Sequence, residues 1–204
     1  MKSRKAYESP TRKEHAELTR QKIVQALMDL MVEERPTTIA IPAVAKRANV
    51  SVRTVYHYFP TKDALFDALP EAARNRGSLD IEDPTSPKEL AARARDAFAY
   101  FERNESLFNA MRVSEAADRV VPELDRRALA RAEKAVAPLR DDLDVASLDK
   151  LKGLIGLMMS YDAYRTLTRR YQLSQDDAAD AIAWTITTIA DRAKRTKRVG
   201  TTDD

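Results

Sequence analysis

The chain has 204 residues, 44% apolar and 33% charged, with a formal net charge of +3, no cysteine, two histidines and four glycines. That length and apolar content suffice for one sizeable core, or for a small domain joined to a larger one, and the missing cysteine removes disulfide and thiolate chemistry and agrees with a reducing cytoplasm. Gly77, Gly153, Gly156 and Gly200 are too scattered for a phosphate-cradling loop, and His15 and His57 are too few for a His-rich metal site, so no cofactor, metal or catalytic residue is expected.

Charge is unevenly spread. Residues 1–76 carry fourteen basic against nine acidic side chains, while 77–204 carry 21 against 23, which places any polyanion partner at the N-terminal end. The opening MKSRKAYESPTRK lacks the apolar stretch of a secretory signal. The nearly uncharged runs GLIGLMMSY and AIAWTITTIA are about half the ~20 residues of a membrane span, so a cytoplasmic protein with no membrane partner is expected.

Almost every segment has helical period, and the expected class is all-α. A basic arm (1–15, with Lys2, Arg4, Lys5, Arg12 and Lys13) leads into a first helix from about 11 or 14 to 34, with Ile23, Leu27, Leu30 and Met31 on one face and TRKE offering a capping box. Ile41, Val44, Ala45 and Ala48 make an i, i+3, i+4, i+7 stripe on a short second helix, with Pro42 in its first turn. Asn49, which tolerates the left-handed region, turns the chain, and Ser51 caps a third helix. Thr61 caps a fourth helix expected to run to 76, and the acidic, turn-rich GSLDIEDPTSP (77–87) reads as a linker. Beyond it, helices are expected at about 88–103, 105–117, 120–140, 147–171 and 174–196, with breaks at Asn104, Pro122, Asp141-Asp142 and Leu173-Ser174, and a tail over 197–204.

The second and third helices, joined by a tight turn, make a helix-turn-helix, whose second helix enters the DNA major groove. A wheel of ~100° per residue puts Val55 and Phe59 on one side with Val52 near them, Arg53, Thr54 and His57 opposite, and Tyr56 and Tyr58 on the flanks. This suits a duplex, because flanking hydroxyls reach phosphates on the groove rims while the exposed face meets base edges. Lys62, next to the Thr61 cap, opposes the helix dipole by itself but cooperates with it once a phosphate docks there.

TIAIPAVAKRANVSVRTVYHYFPTKDAL (38–65) resembles the DNA-binding segment of the TetR family of bacterial transcriptional regulators, through Ala45, Ala48, Val50, Ser51, Thr54, Tyr56, Tyr58, Phe59, Lys62 and Leu65. The resemblance implies a helix-turn-helix DNA-binding domain over 16–76 and a helical effector-binding and dimerisation domain over 88–196. It implies phosphate contacts from Tyr56, Tyr58 and Lys62, phosphate or base from Thr54, and base reading by Arg53 and His57, with Ser51 among the DNA-binding set. Ala40 and Pro42 stand where the family commonly has Thr and Arg, so a cap and a phosphate contact are missing, and Asn49 replaces the usual glycine. Val52 falls at a position the family often leaves exposed, against its place on the wheel.

One helix-turn-helix reads few base pairs, so a homodimer on an inverted repeat is expected. The uncharged stretches 153–161 and 181–190 motivate a dimer surface including Leu151, Ile155, Ala179, Ile182 and Ile186. Phe98, Phe101, Phe108, Met111, Met158, Tyr161, Asp162 and Trp184 are candidates for a small-molecule effector pocket, the effector itself not being readable from sequence. The expected function is a transcriptional regulator, in the repressing sense, released by a small hydrophobic effector; the alternative is a sensor or helical adaptor whose main role is not operator binding.

Overall fold

The computed structural model describes residues 10–76 and 83–197, and among them there is no strand. By its internal contacts the chain divides into two compact units: one of Met1–Ala73 with Asn109–Val120, the other of Arg74–Phe108 with Val121–Asp204. The first unit thus takes in a stretch that the sequence groups with 88–196.

In the first unit α1 (Pro10–Glu34) packs on α2 (Ile41–Arg47), and α2 packs on α3 (Val52–Tyr58). The helical start at Pro10 places Thr11 inside the helix instead of at its cap and makes 10–15 helical, while residues 1–9 of the basic arm lie outside the described residues. Ile23, Leu27, Met31, Ile39, Val44, Val55, Phe59, Leu65 and Leu69 are its buried core. The expected fourth helix is two pieces, α4 (Lys62–Phe66) and α5 (Leu69–Asn75), because Pro70 has no N–H to continue the ladder; the Asp67 N–H still reaches Asp63 O at 2.8 Å, but Ala68 tightens onto Leu65 O at 3.3 Å.

In the second unit α6 (Pro87–Ala92) starts on a Ser86 cap, and α7 (Ala94–Arg103) follows after one non-helical residue, Arg93. The chain passes from one unit to the other within α5, and again within α8 (Glu105–Val113) and α9 (Ala117–Val136). Pro122, expected as a break, sits inside α9, where it removes one backbone bond without ending the helix. A 3-10 turn over Ala137–Leu139 leads to α10 (Val145–Met158), capped by Asp144. The long helix expected over 147–171 is interrupted: Ser160 Oγ accepts the Ala163 N–H at 3.2 Å and starts α11 (Tyr161–Arg165), which runs into a π turn, Thr166–Arg170. α12 (Gln175–Thr196), capped by Ser174, packs on α6, α7 and α10. Ala178, Ala179, Ile182, Ile186, Ala190 and Ala193 form its buried face. No helix among the described residues is long and apolar enough to cross a membrane.

Candidate nucleic-acid interface

Local chemistry builds the reading head. The Ala48 N–H bonds to Val44 O at 2.8 Å, and Asn49 takes φ 53°, so the turn uses the left-handed tolerance of asparagine. Ala40 precedes α2 without a side-chain cap, as its lack of an oxygen requires. Ser51 is extended, and its Oγ accepts the Thr54 N–H at 2.9 Å; Thr54 Oγ1 lies 2.7 Å from the same oxygen. Ser51 therefore serves α3 as its cap, worth about 1 kcal/mol.

Val55 and Phe59 anchor α3 in the core, and the Arg20 guanidinium lies 4.9 Å above the Phe59 ring. Arg53, Tyr56 and His57 are exposed and Thr54 and Tyr58 half-buried, with the His57 and Tyr58 rings edge to face at 5.2 Å. The wheel errs at Val52. It is 38% exposed, because at the first residue of α3 it shares the flank of Tyr56, one turn on, instead of the buried side.

Lys62 opens the helix that Thr61 caps, and its side chain has a partner the sequence does not suggest. The Thr61 cap forms, with the Ala64 N–H on Thr61 Oγ1 at 3.0 Å, but α4 has only five residues and a correspondingly small dipole. Lys62 Nζ is instead paired with Glu115 and lies 5.7 Å from the centre of the Phe66 ring. Arg119 grips the same helix, holding Asp67 through two bonds of 2.8 and 2.7 Å and Asp63 at 3.4 Å. The Arg119 bond holds the Asp67 carboxyl below the usual carboxylate range. Neither partner of α4 was legible in sequence, since both lie more than fifty positions away.

Residues 23–69, which include α2, α3 and α4, match the model of bacterial regulatory proteins of the tetR family. Over that segment the chain is similar to TetR-family regulators. Its fold is similar to that of native NalD, the secondary repressor of the MexAB-OprM multidrug efflux pump in Pseudomonas aeruginosa, with a TM-score of 0.58 at 17% identity over 85% of this chain and 96% of that one. A TetR transcriptional regulator from Rhodococcus sp. RHA1 gives 0.51 at 21% identity, covering 85% of this chain and 96% of its own. No curated protein matches the chain.

In the second unit four of the eight effector candidates come together. Phe98, Phe101, Phe108 and Tyr161 pack with Tyr100 and Tyr164, the rings of Phe108 and Tyr161 stacked at 4.7 Å and those of Phe101 and Phe108 edge to face at 5.4 Å. These rings fill one another's space as core. Tyr100, passed over in sequence although FAYF places it between two candidates, has its phenol pushed up to about 12 by burial and stays a neutral hydroxyl. Met158 and Asp162 are half-buried at the junction of α10 and α11, and Met111 is buried in the first unit. Trp184 is 71% exposed in the single chain. A cleft of about 300 Å³ opens elsewhere, where the bend between α9 and α10 brings Val136, Leu143 and Leu148 beside Glu133, Arg140 and Lys152; nothing in the periodicity announces it.

The dimer candidates need correcting as a set. Leu151, Ile155, Ala179, Ile182 and Ile186 are each at most 8% exposed in the single chain, so they fill its own core and have no surface to offer a partner. The outward face of α10 carries Gly153, Leu154 (42% exposed) and Leu157 (60%), and that of α12 carries Ala181 and Trp184. A Cβ at Gly153 would meet nothing within 4 Å. Both faces of these stretches are apolar, so periodicity could not say which one turns inward.

Proposed function

We propose that the chain is a TetR-family repressor that binds an inverted-repeat operator as a homodimer and is released by a small apolar effector held in its second unit. The observation that carries the DNA half is the display of α3. Its buried side, Val55 and Phe59, is locked by the core, so Arg53 and His57 project from a fixed frame with Thr54 at their edge. In this reading Arg53 reads guanine O6 and N7, His57 a neighbouring base, and Tyr56, Tyr58 and Lys62 bond phosphates.

The dimer half is supported by what the single chain leaves uncovered. Leu157 and Trp184 are more than half exposed on two helices that pack together, and Gly153, one turn before Leu157, has open space; in this reading they make one apolar surface with close backbone access. Glycine costs a helix about 1 kcal/mol against alanine, a loss that a partner helix approaching at Gly153 offsets. For the effector, the half-buried Met158 and Asp162 beside the aromatic core favour an apolar ligand entering near the α10–α11 break.

The reading is tested by binding to mixed-sequence duplex across a salt series. Several phosphate contacts per dimer give a logarithmic affinity falling linearly with log salt, with a slope of ~0.9 for each phosphate neutralised. No duplex binding even at low salt would leave the sensor or adaptor reading in its place.

A further inference from the structure

We propose that Glu115 is a built-in competitor for Lys62, so that the carboxylate of this one residue sets how much of the Lys62 charge reaches DNA. The inference rests on the reading of Lys62 as a phosphate contact.

The geometry separates what holds Glu115 from what Glu115 holds. Its N–H donates to Thr37 O at 2.9 Å, and its Oε1 accepts from the Ile39 N–H as well as from Lys62 Nζ. Two of these three bonds go to the backbone between α1 and α2, so Lys62 can leave without unseating the carboxylate. The surrounding segment is fixed independently by Arg119 on Asp67. The exchangeable member is the lysine, whose flexible stem and partial exposure (30%, against 33% for Glu115) leave its ammonium open to the surface.

Electrostatics sets the direction. Partial burial acts to raise the Glu115 pKa, but the bonds from Lys62 and Ile39 outweigh it and hold the carboxyl below its ordinary value, so it is ionised at neutral pH. A phosphate approaching Lys62 must therefore displace one anion and then sit near it. When Lys62 turns to DNA, the exposed carboxylate recruits a cation from solution, which cancels part of the counterion release at the phosphate. Because Asn109–Val120 is covalently continuous at both ends with the second unit, this competitor lies on the chain path between the units.

The experiment compares wild type, Glu115→Gln, Lys62→Ala and the double variant for duplex affinity over a salt series, with thermal melting as a check on folding. Glu115→Gln keeps an oxygen for the Ile39 N–H and removes only the charge. It is expected to bind DNA about two- to fivefold more tightly, the scale of an exposed ion pair, with a salt slope steeper by up to ~0.9 for each half-site. In the Lys62→Ala background the same change should do nothing. Should Glu115→Gln melt early, Glu115→Asp, which draws the carboxylate back while keeping the Thr37 bond, is expected to shift affinity the same way by less. If Lys62→Ala weakens binding but neither Glu115 variant changes affinity or slope, the competition is overturned. An equal gain in the Lys62→Ala background would also overturn it, by showing general repulsion. If Lys62→Ala leaves affinity unchanged, the phosphate reading of Lys62 falls first.

Discussion

Leu157→Glu is expected to give a folded monomer that has lost operator affinity, whereas Ile155→Glu, two residues away on the same helix, is expected not to fold. Leu157 is 60% exposed in the single chain, so a charge there costs its own subunit little. In a two-fold interface the glutamate is desolvated opposite its symmetry mate, at a cost on the order of 3–5 kcal/mol, which weakens dimerisation by more than a hundredfold. Ile155 is fully buried, and a carboxylate there meets only apolar neighbours. The penalty is a large share of the roughly 5–15 kcal/mol by which a domain is stable. Sedimentation velocity with circular-dichroism melting separates the two outcomes. A Leu157→Glu protein that remains dimeric would move the interface elsewhere.

The second large effect divides the two cations of the reading head. Arg53→Ala is expected to cost ~1–3 kcal/mol per half-site at the cognate sequence, doubled in a symmetric dimer, while hardly changing affinity for scrambled duplex. Lys62→Ala is expected to weaken both duplexes alike and to lower the salt slope by up to ~1 for each half-site. The physical distinction is that a base edge differs between sequences and a phosphate does not. Affinities of both variants on both duplexes, measured across salt, check it. Identical behaviour of the two variants would remove the assignment of base and phosphate roles.

What could be read from sequence was local. Asn49 turns the chain through its own backbone preference, and Ser51, Thr61 and Ser174 cap the helices that follow them because the oxygen and the N–H it accepts lie three residues apart. Val55 and Phe59 fell on the buried side because four residues make about one turn. Long-range pairing was not legible: Glu115 reaches Lys62 across 53 positions, and no pattern near either residue records it. Side choice on helices apolar all round was not legible either, which is why Ile155 and Ile186 were read as interface while Leu157 and Trp184 were the exposed ones. The broken helices at Asp67-Ala68 and Met159-Ser160 share a cause, since Pro70 and Ser160 act as start signals inside stretches whose apolar period continues through them.

Enrichment of random duplex DNA by the protein tests the central claim most directly, that α3 of two subunits reads two related half-sites. The account predicts an inverted repeat with half-site centres about one helical turn, ~34–36 Å, or a multiple of it apart. It also predicts a guanine in each half-site whose selection disappears in Arg53→Ala. Recovery of unselected sequence, or of a single unrepeated site bound equally well by Arg53→Ala, would contradict it.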